Sequence, residues 1–193
     1  MKILIAAPTQ REYNYIKAAA ERTATHHDYT VVCCGVGKAA AAAAVAARLA
    51  RERFDMVAVI GFAAGTAGFR QGDIVVLSEV RYHDTNVPDG FVPELTDPYP
   101  LTGGDGTKVF TGDSFVDAAI VRGIKEHFGV GRALFDMEIG AVAIAASVCG
   151  GVPVAAVKMI SDVPEDGHTD LSYEEFADSH SDFSALLSEI EKF

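Results

Sequence analysis

Four acidic residues each follow a short apolar segment of the chain, and their carboxyl groups are the side chains best suited to chemistry. They are Glu12, Asp136, Glu138 and Asp162. An acid at the end of a buried strand is partly removed from water and can still reach a ligand, so it can transfer a proton or accept hydrogen bonds. Taken alone, however, each such acid is more often a helix cap or a surface side chain than a catalyst.

Apolar segments that alternate with helical ones must position these acids. The sequence predicts strands over 2–7, 29–34, 56–60, 74–77 with a continuation towards 82, 109–111, 133–135 and 153–160. It predicts helices over 12–22, 38–53, 138–149 and from 172 to the end, the last with Ser172 and Glu175 as a capping box, and a long loop over 88–106. This alternation predicts one α/β domain over residues 1–193, a sandwich with helices on both faces of a largely parallel sheet. Ligands of such sheets bind beyond the carboxyl ends of the strands, where the four acids lie.

Other motifs favour structural roles. Residues 35–40 read Gly-Val-Gly-Lys-Ala-Ala after a strand, as in a dinucleotide fingerprint, but the next strand ends at Ile60 and Gly61 without the acid that would hold a ribose. A tight turn that lets a helix pack closely on a strand is therefore favoured over NAD binding. The six histidines lack the spacing of a metal site, and no Gly-x-Ser-x-Gly elbow of a serine hydrolase occurs.

Composition limits the class of partner. The chain has 193 residues, 49% of them hydrophobic and 22% charged, and a formal net charge of −11. These values predict a packed globular domain whose acidic surface repels nucleic acid and anionic membranes. Cys33, Cys34 and Cys149 form no disulfide framework, so a cytoplasmic location is expected.

Seven short strings resemble, in their order and near their spacing, those of the nucleoside phosphorylase superfamily. They occupy residues 35–38, 72–76, 81–84, 111–115, 136–138, 160–163 and 171–176, so the resemblance runs from residue 1 to about residue 176. The closest likeness is to the methylthioadenosine/S-adenosylhomocysteine nucleosidases, with futalosine hydrolase a related branch. The resemblance implies a three-layer α/β/α sandwich with a mixed, mostly parallel twisted sheet.

The resemblance also implies cleavage of the N-glycosidic bond of a purine nucleoside, with roles for three of the acids. Breaking this bond leaves positive charge on the sugar and negative charge on the base, which an enzyme must stabilise. By the match, Asp162 is the general acid that protonates purine N7, Glu138 accepts hydrogen bonds from the ribose hydroxyls, and Glu12 orients the attacking water.

Further binding residues follow from the same match. Met137 would lie against the sugar and Phe115 would stack on the base, while the Val116 backbone would read the edge of the base. Asp136, Ser161, Phe62 and Ala63 complete the expected binding site. A segment over 82–100 would close on the 5′ substituent with help from a second subunit, so a homodimer is implied, and the chemistry requires no cofactor.

Two alternatives remain open at this stage. Arg11, Arg70 and Arg81 keep phosphorolysis possible, although the bulk of Phe62, where the nucleosidases have serine, disfavours a phosphate anion. Lys158 stands where the nucleosidases have arginine, and a lysine lacks the planar fork of donors. Together with Phe62, this difference leaves open the alternative that the protein binds a nucleoside without cleaving it.

Overall fold

The structure is a computed structural model that describes residues 1–85, 98–166 and 172–193. Its strands are β1 (Lys2–Ala7), β2 (Asp28–Cys33), β3 (Met56–Gly65), β4 (Ile74–Val76), β5 (Glu79–Tyr82), β6 (Tyr99–Pro100), β7 (Lys108–Thr111), β8 (Ala133–Asp136) and β9 (Val154–Asp162). Its helices are α1 (Gln10–Arg22), α2 (Lys38–Leu49), α3 (Ala118–Phe128), α4 (Ile139–Val148), α5 (Tyr173–Ser179) and α6 (Ser184–Ile190), with a 3₁₀ turn at Pro164–Asp166.

All of the strands in the described residues belong to one mixed sheet. The order along it is β2-β1-β3-β8-β7-β5-β6, and β9 pairs with both β3 and β4. Five pairs are parallel, namely β1 with β2, β1 with β3, β3 with β9, β5 with β7 and β7 with β8. The pairs β3–β8, β4–β9 and β5–β6 are antiparallel. The predicted mixed, mostly parallel sheet is therefore confirmed.

The two faces of the sheet bury separate apolar clusters. On β1, Leu4 and Ala6 belong to the apolar cluster between the sheet and helices α2 and α4. Ile3 and Ile5 belong to the cluster between the sheet and helices α1, α5 and α6. Successive side chains of a strand point to opposite faces, so an uninterrupted apolar strand is expected where helices cover both faces. The predicted three-layer sandwich follows from this arrangement.

Several predicted boundaries are wrong. The segment predicted as one strand from 74 towards 82 forms β4 and β5, which pair with different neighbours, because the chain changes partner between them. Helix α2 ends at Leu49 rather than at residue 53, and the C-terminal helix divides into α5 and α6. Strand β3 continues through the small residues to Gly65, since their backbone pairs with β9 and β8.

Helix α3 was not predicted, although its boundaries carry clear signals. Asp117 caps it by accepting the N–H groups of Ala119 and Ile120, and Gly129 ends it in the left-handed region at φ +63°. Its buried residues Val121 and Ile124 pack in a third cluster with β7 and β8. The capping box of Ser172 and Glu175, in contrast, is confirmed at the start of α5.

Part of the predicted loops lies outside the described residues. This holds for residues 86–97, most of the segment expected to close on a 5′ substituent, and for residues 167–171. In the described parts of the chain, no helix has the length and apolarity needed to cross a bilayer.

Candidate active site

A single pocket brings together all ten residues that the sequence predicts for the site. It lies where β1, β3, β8 and β9 end, beneath the loop that follows β7. Its predicted members are Glu12, Phe62, Ala63, Phe115, Val116, Asp136, Met137, Glu138, Ser161 and Asp162. Pro8, Thr9, Val36, Ala64, Ser114, Phe135 and Tyr173 also line it.

Glu12 is held in the first turn of α1 by three hydrogen bonds. Its Oε2 accepts the backbone N–H of Thr9 at 2.9 Å and the Thr9 hydroxyl at 2.7 Å, which forms a capping box with Thr9. Its Oε1 accepts the Phe62 N–H at 2.9 Å, and a Cβ at Gly61 would collide with that oxygen. A carboxylate has about four lone-pair sites, so one remains for a ligand or a water molecule in the pocket.

Asp162 reaches the pocket through an irregularity at the end of β9. The register of β9 against β3 shifts between Ala63 and Ala64, so Ser161 is the extra residue, and such a bulge redirects the side chains beside it. The Ser161 hydroxyl donates to Asp162 Oδ1 at 2.6 Å, and its oxygen lies 3.2 Å from the Ala63 carbonyl oxygen. Burial raises the pKa of Asp162 and the Ser161 hydrogen bond opposes that rise. A carboxyl with a raised pKa can keep a proton for transfer to a ligand.

The turn between β8 and α4 leaves Glu138 free for the pocket even though it is the N-cap residue of α4. Asp136 Oδ2 accepts the N–H groups of Ile139 at 2.9 Å and of Glu138 at 3.3 Å. Thr111 donates to Asp136 Oδ1 at 2.5 Å and accepts the Gly140 N–H at 3.0 Å. Because these two side chains satisfy the start of the helix, the Glu138 carboxylate makes no capping bond.

Glu138 instead closes onto the glycine turn that resembled a dinucleotide fingerprint. The Gly37 N–H donates to Glu138 Oε1 at 2.9 Å, so the backbone donor at the start of α2 serves a carboxylate of the protein. Gly35 and Gly37 have φ of +84° and +90°, and a Cβ at Gly35 would lie 2.9 Å from that of Ala40. The turn therefore allows close packing of the strand end on the helix. Burial, as the largest cause, raises the pKa of Glu138 to about 7.

Aromatic side chains form another part of the pocket lining, which is called the aromatic wall below. Phe115 is 78% exposed and meets the Tyr173 ring edge-to-face at 6.3 Å. Phe62 is buried and packs edge-to-face against Tyr173, Phe176 and Phe183. The pocket thus offers an aromatic surface to a flat apolar group, and Asp162 and Ser161 belong to the same lining. The half-buried Met137 lies between Asp136 and Glu138.

The arginines weighed for phosphate binding lie elsewhere. Arg11 pairs with Glu174 and Asp178, and Arg81 lies over the Phe128 ring. Arg70 does not line the pocket, and neither an arginine nor a lysine is among the described residues that do. An anion would find four carboxyl-bearing residues and no cation in the described lining.

Three of the seven lining residues that the sequence analysis missed carry a local signal. Tyr173 follows the Ser172 cap directly, Thr9 begins the Thr-x-x-Glu pattern of the α1 capping box, and Val36 lies inside the glycine turn. The two capping patterns can be recognised from the sequence alone. That they border the same pocket depends on tertiary contacts between α1 and α5, such as that of Arg11 with Glu174, which local patterns do not encode.

A model of the phosphorylase superfamily matches residues 4–128 and 105–190 of the chain. A 5′-methylthioadenosine/S-adenosylhomocysteine nucleosidase of Haemophilus influenzae (strain PittEE) is 31% identical, over 91% of this chain and 92% of its own length. A nucleosidase of the same name from an Exiguobacterium species is 29% identical over 97% and 95%.

Solved structures show the same fold. The S-adenosylhomocysteine nucleosidase of Streptococcus pyogenes, in complex with 5-methylthiotubericidin, superposes with a TM-score of 0.82 at 24% identity, covering 100% of this chain and 97% of that one. The nucleosidase of S. pneumoniae, with the transition-state inhibitor MT-ImmA, gives a TM-score of 0.81 at 23% identity over 97% and 96%.

Proposed function

The chain belongs to the phosphorylase superfamily, and from this premise we propose that it is a nucleosidase that hydrolyses the N-glycosidic bond of a 5′-substituted adenosine. The observation that carries the proposal is the shared pocket of Asp162, Glu138 and Glu12, whose side chains approach it from three different elements. Substrates of the methylthioadenosine and S-adenosylhomocysteine type are supported by the relatives that carry these names, and a futalosine-like nucleoside is the related possibility.

In the proposed reaction Asp162 gives its proton to the leaving base. Loss of the C–N bond places negative charge on the purine, and protonation at N7 neutralises it. The half-buried position of Asp162 and its raised pKa support this role, because the acid must still hold a proton when the substrate is bound.

Glu138 and Glu12 would serve the sugar. An ionised Glu138 accepts hydrogen bonds from the ribose hydroxyls and stabilises the positive charge that develops on the ring. The remaining lone pair of Glu12 would hold the attacking water in a fixed direction, since the other three sites bind Thr9 and Phe62.

The base would lie against the aromatic wall. We assign stacking to Phe115 and reading of the base edge to the backbone of Val116, with Met137 and Asp136 at the sugar and with Phe62, Ala63 and Ser161 lining the remainder. The edge-to-face contact of Phe115 with Tyr173 supports a base-sized aromatic slot at this position.

Hydrolysis is favoured over phosphorolysis by the charges of the pocket. A phosphate nucleophile needs cationic donors, and the described lining carries none. The Phe62 ring, buried among Tyr173, Phe176 and Phe183, adds apolar bulk where an anion would have to enter. Water is therefore the proposed nucleophile.

The test is release of free base in phosphate-free buffer. Methylthioadenosine, S-adenosylhomocysteine, futalosine, adenosine and inosine are incubated with the protein and the products are separated by chromatography. We expect base from at least one 5′-substituted nucleoside, and we expect Asp162→Asn to lower kcat by about 10²–10⁴-fold. Asp178→Asn, an exposed carboxylate on α5, is the matched control and should keep the wild-type rate.

Each alternative gives a different result in this assay. Base release that requires added phosphate and yields a ribose 1-phosphate would assign a phosphorylase. A melting temperature raised by nucleosides, with no product at high protein concentration, would assign a binding module and contradict the proposed reaction.

We also propose that the chain acts as one domain in a cytoplasmic homodimer. Val36 and Phe115 are 52% and 78% exposed at the pocket, and apolar side chains at such a rim are suited to contact with a second copy. The three cysteines are free thiols, which suits a reducing compartment. Light scattering coupled to gel filtration tests the dimer, and a monomer at micromolar concentration would contradict it.

A further inference from the structure

Lys158 is a buried cation for which the proposed chemistry has no role so far. It lies on β9 with its side chain fully shielded from solvent, and its Nζ has no hydrogen-bond partner among the described residues. Ala156 and Ile160, two residues before and after it on the same face of β9, belong to the apolar cluster between the sheet and helices α2 and α4. A charge without a hydrogen bond in such surroundings is costly, so nearby anions must compensate it.

The compensating anions are those of the pocket. Nζ lies 3.5 Å from Asp136 Oδ2, and the side chain of Asp136 is also almost completely buried. Burial lowers the pKa of Lys158, but the negative charges of Asp136, Glu138 and Glu12 outweigh it and raise the pKa overall. Lys158 is therefore charged, although it does not belong to the pocket lining.

The groups that face Glu138 act on its charge in opposite directions. Burial and the charges of Asp136 on β8 and Glu12 on α1 disfavour its ionised form, and Lys158 on β9 and the Gly37 N–H at the start of α2 favour it. Cys34 and Tyr173 also lie close enough to feel its charge, and both are neutral because burial raises their pKa values. Lys158 is thus the cation in the described surroundings that opposes burial at Glu138.

We infer that Lys158 is a positioning residue whose sealed ammonium keeps Asp136 in place and Glu138 ionised at the sugar end of the pocket. The role of Glu138 toward the sugar rests on the proposed function. The electrostatic effect of Lys158 on Glu138 does not depend on it. Protonated Glu138 would lose its charge and part of its capacity to accept hydrogen bonds from ribose hydroxyls.

The direct test is a titration of the Glu138 carboxyl by NMR in protein labelled at the glutamate side-chain carboxyl carbon. Glu138→Gln assigns the resonance. Loss of a neighbouring opposite charge raises the pKa of a carboxyl, so Lys158→Met should raise the Glu138 midpoint, on the order of one unit. Asp136→Asn removes a like charge, keeps an oxygen for the α4 cap, and should lower the midpoint.

Met159→Ala is the matched structural control. Met159 is buried on the same strand, in the cluster on the opposite face of the sheet, so its loss perturbs packing without removing a charge. We expect the Glu138 midpoint to stay at its wild-type value in this variant. Equal displacement by Met159→Ala and Lys158→Met would show a packing effect and overturn the inference.

The kinetic consequence is a shift in the limb of kcat/KM against pH that Glu138 sets. Each unit by which the midpoint rises moves this limb by one unit, so Lys158→Met should lose about tenfold in kcat/KM below the limb and recover at high pH. A loss of equal size at every pH would contradict the inference.

The inference stays testable in two unfavourable cases, namely that Lys158→Met does not fold and that the wild-type protein shows no turnover. If Lys158→Met does not fold, Lys158→Gln, which keeps a polar side chain without the charge, decides, and a midpoint that fails to rise overturns the inference. If the wild-type protein releases no base but the NMR midpoints move in opposite directions as expected, the proposed function fails while the inference on Lys158 stands.

Discussion

Glu12 and Glu175 occupy the same place in two capping boxes, but their surroundings differ. Glu12 is 2% exposed and accepts a third hydrogen bond from the Phe62 N–H, whereas Glu175 is exposed on α5 and bonds only within its own box. Glu12→Gln places an amide that cannot accept on one of these donors. We expect a loss of about 1–3 kcal/mol in the free energy of unfolding, as for an unpaired buried donor.

Chemical denaturation of the two glutamine variants measures this difference. Glu175→Gln is the matched control and should leave the transition midpoint close to wild type. Glu175 is exposed, so water can form the hydrogen bonds that are lost in this variant. Equal destabilisation by the two substitutions would show that burial and the third hydrogen bond at Glu12 have no energetic weight.

Ser161 controls how readily Asp162 keeps its proton. The Ser161 hydroxyl donates to the ionised carboxylate and so lowers the pKa of Asp162 against the rise caused by burial. Ser161→Ala should raise that pKa by about 0.7 unit, the equivalent of one hydrogen bond of about 1 kcal/mol. Because the general acid works in its protonated form, the limb of kcat/KM against pH that Asp162 sets should move to higher pH.

The measurement is the pH dependence of kcat/KM for a 5′-substituted adenosine, with the limb set by Glu138 as internal reference. This limb, which Lys158→Met displaces, should stay in place in Ser161→Ala. An Asp162 limb that moves to lower pH would contradict the assignment of Asp162 as the acid.

At the scale of elements, α3 supports the segment that follows Asp162. Lys125 of α3 donates to Glu165 at 2.9 Å, and Glu165 accepts the Ala67 N–H at 2.8 Å, so the turn after β9 is tied to both α3 and the end of β3. Asp117→Ala removes the cap of α3 and should cost about 1 kcal/mol in the free energy of unfolding. Asp117→Ser keeps a capping oxygen and should recover most of the loss in the same denaturation experiment.

The sequence predicts the elements that have a strong local signal. It does not predict boundaries that depend on which strands pair with each other. The apolar run of β1 and the alanine-rich start of α2 are placed within a residue by burial pattern and helix propensity. The division between β4 and β5 depends on β9 and β7 being their separate partners, and that choice has no local signature. Helix α3 was missed despite its Asp117 cap, because the surrounding glycines at 112, 123, 129 and 131 weaken a helical pattern.

The same distinction applies to the site. Six of the ten predicted site residues lie in strings of the resemblance near strand ends, which the sheet brings together in one pocket. Lys158 could be noted as a difference from the family, but its burial beside Asp136 required the register of β9 against β3 and β4. Tyr173 required the packing of α5 against the loop that carries Phe115.

The charge of the whole molecule acts on the same pocket. The chain has a formal net charge of −11, and Glu12, Asp136, Glu138 and Asp162 line the site. Lys158 is sealed beneath it, and Lys38 at the glycine turn is already bound to Asp84 at 2.6 and 2.8 Å. A neutral nucleoside therefore enters more readily than an anionic one.

This predicts discrimination against nucleotides. Adenosine 5′-monophosphate carries negative charge into a field of the same sign without a cation in the described lining to receive it, so its kcat/KM should be at least about tenfold below that of methylthioadenosine. Salt screens such repulsion over about 10 Å at 0.1 M. The gap between the two substrates should accordingly narrow as potassium chloride is raised, while the rate for methylthioadenosine stays nearly constant. Equal kcat/KM for both substrates at low salt would require a phosphate-binding cation within reach of the 5′ position, and would return phosphorolysis to consideration.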